Sequence, residues 1–195
     1  MKDGEIEKIE QRAKENGEKF ILSTIHPPKR FSKIKIGNLR EQDLREILSD
    51  AFVLEKLKMG EECISTIMKE GNGNPQIIRE VLIILYDNLK PQEKIISKAD
   101  YLSQLQNIMT IVARKKFSGL YQNTPPAQKE ILVVIAKAGK ISVSDIAKKI
   151  RKPLGQVTAL VGRLVASGQI IKIERGVYSP YAGLYGRYVL QRMQP

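Results

Sequence analysis

Four of the five residues from Lys148 to Lys152 are cations: Lys148, Lys149, Arg151 and Lys152. Gln156 and Arg163 follow, and Lys172 and Arg175 lie a little further on. These types suit one chemistry. Lysine and arginine neutralise phosphates, and such contacts supply most of the affinity for a nucleic acid. A glutamine can pair with adenine through two hydrogen bonds, and an arginine with guanine. Other chemistries are poorly provided for. One histidine, His26, and one cysteine, Cys63, leave no zinc-ligand set and no internal disulfide. His26, beside two prolines, reads as a loop residue, and Cys63 at an apolar helical position reads as core. No catalytic residue stands out.

Charge supports the same direction. The net formal charge is +12, and it is uneven. Residues 123–195 hold 12 Lys/Arg against 3 Asp/Glu, whereas the first 122 hold 21 against 18. A strongly basic segment joined to a near-neutral one predicts an anionic partner, DNA first among them. The first 18 residues are charged, unlike a secretory signal. The longest apolar runs, "VLIIL" at 81–85 and "ILVVIA" at 131–136, are too short to span a bilayer. The expected setting is cytoplasmic, with no membrane partner.

The basic residues need elements to hold them. "TPPAQKEILVVIAKAGK" predicts a helix capped by Thr124 and stopped by Gly139. A very short strand, "KIS", and a two-turn helix, "VSDIAKKI", come next. "RKP" is a turn, and "LGQVTALVGRLVASG" is a longer helix ended by Gly168. "QIIKIE" and "GVYS" flank Arg175-Gly176 as a hairpin. Ser179-Pro180 then opens a last helix. Helix, short strand, helix, turn, helix and hairpin is the order of a winged helix-turn-helix.

At 100° per residue, Val157, Leu160, Val161, Leu164 and Val165 form the buried face of the second of its paired helices. Gly155, Gln156, Ala159, Gly162, Arg163 and Ala166 form the opposite face. Gln156 and Arg163 could read bases there. The small residues between them would equally let a protein surface approach closely. Tyr178, Tyr181, Tyr185 and Tyr188 read as packing between the last helix and the hairpin, with stacking on single-stranded bases as the alternative.

Upstream, Ile6 and Ile9 in "EIEKIEQRAKEN" fall at helical spacing. "FIL" at 20–22 reads as a fully buried strand, "HPPKR" as a loop and "KIKI" at 33–36 as a second strand. The next hundred residues show only helical spacing. Leu44, Ile47, Leu48, Phe52, Val53 and Leu57 share one face. "GEECISTIMKEG" is a shorter helix, "GNGN" a turn, and Pro75 opens a helix ending before Pro91. A long helical stretch covers about 93–121. The fold class is mainly α, a helical bundle followed by the winged domain, with boundaries near 1–40, 41–122 and 123–195.

This order resembles the C-terminal part of an archaeal ATPase of the AAA+/STAND type, similar to the archaeal replication initiators. "KFILST" resembles the sensor-1 strand, and "IKIGNLREQDLREIL" the last core strand and first lid helix. "GNPQIIRE" resembles the lid helix bearing the second sensor, and "GVYSPYAGLYGRYVL" the close of the winged domain. The resemblance implies that Ser23 or Thr24 faces the terminal phosphate of a nucleotide, and that Gln76 and Arg79 stand near the second-sensor position. It implies ATP and magnesium for a full-length parent, though none for this chain. No "GxxxxGK[ST]" is present, nor a strand ending in paired acids. The phosphate loop would then lie on an N-terminal core outside this sequence, with residues 1–40 as a remnant of that α/β P-loop core. In the family that loop's strand lies between the two retained here, so the first 40 residues are expected to deviate from the family arrangement.

The expected function is a lid and winged-helix module of an ATP-dependent protein, binding double-stranded DNA mainly through its backbone. One alternative is a switch module whose winged domain docks on the ATPase core, a protein partner or a second copy of the chain. Another is a free-standing transcription regulator.

Overall fold

The computed structural model describes residues 38–53, 58–89 and 95–193. Contacts divide the chain into 1–37 and 38–195, and all described residues belong to the second unit. The expected N-terminal helix and both strands, with Ser23, Thr24 and His26, lie outside the described residues.

Helix α1, Glu41–Val53, is opened by Asp43, whose carboxylate accepts from the Arg40 backbone N–H at 2.7 Å. Leu44 and Leu48 are buried as their spacing predicts, but Ile47 is 45% exposed, at the edge of the stripe. Helix α2, Glu61–Gly71, starts with two acids at the positive end of its dipole. It buries Cys63, Ile64 and Ile67. Asn72 ends it in the left-handed conformation, φ 49°. Helix α3, Pro75–Leu89, starts on a proline, and the Asn74 side chain accepts from the N–H groups of Gln76 and Ile77.

Helical spacing did not foretell two strands. β1, Lys58–Met59, pairs in parallel with β2, Ile95–Ile96. Ser97 then begins helix α4, Lys98–Val112, with a capping box to Asp100, so the stretch expected as helix from about 93 starts later. At Ala113–Phe117 the helix widens into a π turn before α5, Ser118–Gln122. The reason lies in phase. Ile108 and Val112 point inward, and four residues on an α-helix would turn Lys116 inward too. One extra residue lets Phe117 take that place, fully buried. Its ring lies 5.3 Å from Tyr185, 5.7 Å from Tyr188 and 6.1 Å from Tyr181. Three of the C-terminal tyrosines therefore pack around Phe117 of the π turn, where packing between the last helix and the hairpin was expected. Tyr185 and Tyr188 are buried, so neither ring is free to stack on bases.

The C-terminal segment follows the expected order: α6, Pro126–Ala138; β3, Ile141–Ser142; α7, Val143–Ile150; α8, Leu154–Ala166; β4, Ile170–Glu174; β5, Val177–Pro180; and α9, Gly183–Gln191. β5 is the middle strand, antiparallel to both β3 and β4. Two local expectations are corrected. Thr124 does not cap α6. Pro125 stands at the cap, and the Thr124 hydroxyl is buried, 2.7 Å from the Leu120 carbonyl and 2.9 Å from Gln169 Oε1. The Tyr185 hydroxyl donates to the same Gln169 oxygen at 2.7 Å. Ser179-Pro180 does not open the last helix. Both residues extend β5 opposite Ile171 and Ile170, and α9 begins at Gly183.

One apolar core runs through the helices and the winged segment, from Leu44 to Val189. Helix α9 closes it by packing on α6 and α2.

Candidate nucleic-acid interface

Helix α7 is capped by Ser142, whose hydroxyl accepts from the Asp145 N–H at 3.1 Å. Its apolar side buries Ile146 and Ala147. Arg151 ends it at φ 53°, and the Lys152 N–H returns to the Ala147 carbonyl at 3.1 Å. This left-handed residue makes the turn that sends the chain into α8.

Helix α8 buries Val157, Leu160, Val161 and Leu164. Val165, assigned to that face by phase, is 38% exposed at its margin. The opposite face is as expected: Gly155, Gln156, Ala159, Gly162, Arg163 and Ala166 are all exposed. A Cβ added at Gly155 or Gly162 would meet nothing within 4 Å. Among the described residues, no other part of the chain covers this face.

The expected cations divide by partner. Lys148 stands 3.8 Å from Asp145, with both side chains largely in solvent. Lys149 and Arg151 line an open cleft of about 550 Å³ between α6 and the end of α7. Lys152 is engaged by Glu130 on α6. Gln156, Arg163, Lys172 and Arg175 lie on the outer surface of α8 and the hairpin. None of these four side chains has a hydrogen-bond or ion-pair partner among the described residues. Glu174, the acid of the hairpin, is turned to Lys140 at 2.7 Å. Sequence reading missed Lys140 and also Lys129, whose ammonium sits 4.9 Å from the centre of the Tyr121 ring. Their place depends on packing across turns, which charge counting does not show.

Gln76 and Arg79 lie apart from this surface, on α3. The Lys116 ammonium donates to Gln76 Oε1 at 3.1 Å. Arg79 is 72% exposed, with its guanidinium 3.7 Å from Glu80. Glu80 is nearly buried and accepts from the Lys115 ammonium at 2.6 Å. That bond, stronger than the opposing effect of burial, holds the Glu80 carboxyl below the usual range. Among the described residues, no three His, Cys, Asp or Glu side chains gather closely enough to hold a metal ion. No helix there is long and apolar enough to cross a membrane.

Residues 126–171 match the family model described as winged helix-turn-helix DNA-binding. This segment is a winged helix-turn-helix domain. Two solved structures align with most of the chain. A RuvB mutant of Thermotoga maritima, with one lysine changed to arginine, has 14% identity and a TM-score of 0.33, covering 83% of this chain and 51% of that one. A second RuvB mutant of the same organism, with one arginine changed to alanine, has 14% identity and a TM-score of 0.32, covering 82% and 51%. The chain spans about half the length of each. No curated protein matches it.

Proposed function

We propose that this chain binds double-stranded DNA through its winged domain, with phosphate contacts supplying most of the affinity. The supporting observation is the outer face of α8. It is open, it carries Gln156 and Arg163 without partners among the described residues, and it is flanked by cations at the α7 turn and on the hairpin. In this reading α8 lies in the major groove, and Gln156 and Arg163 reach base edges. Lys148, Lys149, Arg151, Lys172 and Arg175 hold phosphates. Lys152 contributes chiefly by tying the α7 turn to α6 through Glu130. Two side chains are a short reach for sequence reading, so preference among sequences is modest.

The test is fluorescence anisotropy of a labelled duplex across a salt series. The logarithm of the association constant should fall linearly with that of salt, by about 0.9 for each phosphate neutralised. Replacing Lys149, Arg151 and Lys172 together with alanine should weaken binding on every sequence and flatten the slope. Arg163→Ala should alter preference among sequences. Binding indifferent to salt would overturn the proposal.

We further propose that the chain is the lid and winged-helix part of an ATP-dependent protein of the AAA+ type. Its support is the order of motifs along the sequence, together with the exposure of Gln76 and Arg79 on one side of α3. Ser23, Thr24, Gln76 and Arg79 would then meet a nucleotide held with magnesium on a separate core. A polypeptide bearing a phosphate loop should bind this chain more tightly with ATP than without, and Arg79→Ala should remove the difference. Equal binding with and without ATP would reject this role.

A further inference from the structure

The π turn is basic, with Arg114, Lys115 and Lys116 in succession. Packing sorts them. The Lys115 ammonium donates to Glu80 at 2.6 Å and the Lys116 ammonium to Gln76 at 3.1 Å, both on α3. Arg114 is exposed, and its side chain has no partner among the described residues. It lines a cleft of about 460 Å³ where the π turn packs against α9. Wide helical turns of this kind recur at functional sites.

Arg192, just past the end of α9, lines the same cleft. Its guanidinium carbon lies 5.2 Å from the centre of the Tyr188 ring, and its Nε donates to the Tyr188 hydroxyl at 3.2 Å. These contacts fix the guanidinium, while both Nη groups have no acceptor among the described residues. Tyr188, on the wall of the cleft, is only 3% exposed. Its hydroxyl accepts from Arg192, but its own hydrogen meets no acceptor among the described residues. A buried hydroxyl seldom leaves its donor unused. Met109 and Ala113 supply apolar lining, and no described Asp or Glu lines the cleft.

Two arginines on one cleft repel each other, and here no carboxylate offsets them as Glu70 offsets Arg187. A bound anion would relieve the repulsion and accept from the Tyr188 hydroxyl. A carboxylate brings one charge and two oxygens. A phosphate monoester brings close to two charges and three strong acceptors, and guanidinium N–H pairs match its geometry. The hydroxyl is recessed, so a terminal phosphoryl group reaches it more readily than a phosphodiester flanked by strand on both sides.

We propose that the cleft between the π turn and α9 binds a small phosphate monoester. Arg114, Arg192 and the Tyr188 hydroxyl hold the phosphoryl group, and Met109 and Ala113 receive the apolar part of the ester. The site is separate from the surface of α8 and does not depend on the DNA-binding reading.

The test is calorimetric titration of the full chain with phenyl phosphate, at ionic strength held constant with chloride. Binding should saturate with a Kd of about 1 mM or below, as expected of a few charge-assisted hydrogen bonds. Inorganic phosphate, which lacks the apolar group, should bind less tightly. Arg114→Ala and Arg192→Ala should each weaken phenyl phosphate about tenfold or more. Arg114→Lys should restore only part of that loss, because an ammonium is a point charge. Tyr188→Phe keeps the ring and should weaken binding about three- to tenfold. Arg175→Ala, on the hairpin, should leave binding unchanged. Both alanine variants should keep the parent's Tm, since the two arginines are exposed. No saturation of the parent by about 10 mM would overturn the proposal. So would equal affinity of the parent and the Arg114→Ala/Arg192→Ala protein, or inorganic phosphate binding as tightly as the ester. Duplex affinity lost in Arg114→Ala, with phenyl phosphate binding intact, would also overturn it and assign the arginine to nucleic acid.

Discussion

The side-chain amide of Asn72 donates to the carbonyl of Tyr181 at 3.0 Å, across 109 residues of chain. The turn that holds Asn72 also receives the Leu39 N–H at the Gly73 carbonyl, 2.7 Å, and the Asn38 amide at the Asn72 carbonyl, 2.7 Å. Its last residue, Asn74, caps α3. One short turn between α2 and α3 therefore ties together the start of the described unit, the helix of Gln76 and Arg79, and the winged domain.

Beside it, the Arg187 guanidinium grips the Glu70 carboxylate at 2.6 Å through Nη2 and at 3.1 Å through Nε. The Glu70 side chain is only 12% exposed, so removing its partner strands a nearly buried charge. Arg187→Ala should cost about 1–2 kcal/mol in chemical denaturation, discounted because Arg187 itself is half in solvent. Adding Glu70→Gln should recover part of that loss. A double-mutant cycle giving no coupling would contradict the latch.

Gly73 is the turn's most constrained residue. It has φ +66°, and a Cβ would stand 2.3 Å from the Leu39 carbonyl oxygen. Gly168 has φ +71° with open space around it. Gly168→Ala should cost about 1 kcal/mol for the positive φ alone, whereas Gly73→Ala should cost about 2 kcal/mol or more as strain and clash add. Equal costs by urea denaturation would mean that Leu39 is not held against the turn.

Gly162 presents the opposite situation, a helix interior with empty space outside. Gly162→Ala should stabilise the isolated chain by about 0.5–1 kcal/mol through the backbone alone. A lower Tm for the variant would show that something already occupies this side of α8.

Acid should act through Glu80. Its carboxyl titrates below the ordinary value because Lys115 bonds the charged form. A depressed folded-state value means that the stabilisation is present above the unfolded value, near 4.5, and is lost as pH falls through the lower folded one. The parent should therefore lose stability below about pH 4.5 more steeply than Glu80→Gln. Parallel curves from denaturation at successive pH values would remove Glu80 as the cause.

Much of the winged domain was legible residue by residue. Gly139 and Gly168 stop its helices, and the spacing of Val157, Leu160, Val161 and Leu164 sets the orientation of α8; the cap at Ser142 was not read. These signals act within one or two turns of chain, where backbone geometry alone decides which side chains share a face. The edges were less secure. Ile47 and Val165 sit at the margins of their stripes, where neighbouring elements determine cover. Of the candidate binding cations, type and cluster could be read directly, but the engagement of Lys152 by Glu130 could not.

By itself the sequence determined the basic charge, the order of helices and hairpin, and the polar-and-small face of α8, because each follows from composition or local periodicity. Only the tertiary structure decided the parallel pairing of Lys58–Met59 with Ile95–Ile96, the π turn that brings Phe117 among the tyrosines, the Glu70–Arg187 latch and the cleft shared by Arg114 and Arg192. Each of these depends on which distant surfaces meet, and a hydrogen bond or a buried ring takes its partner from the packing rather than from its neighbours in the chain.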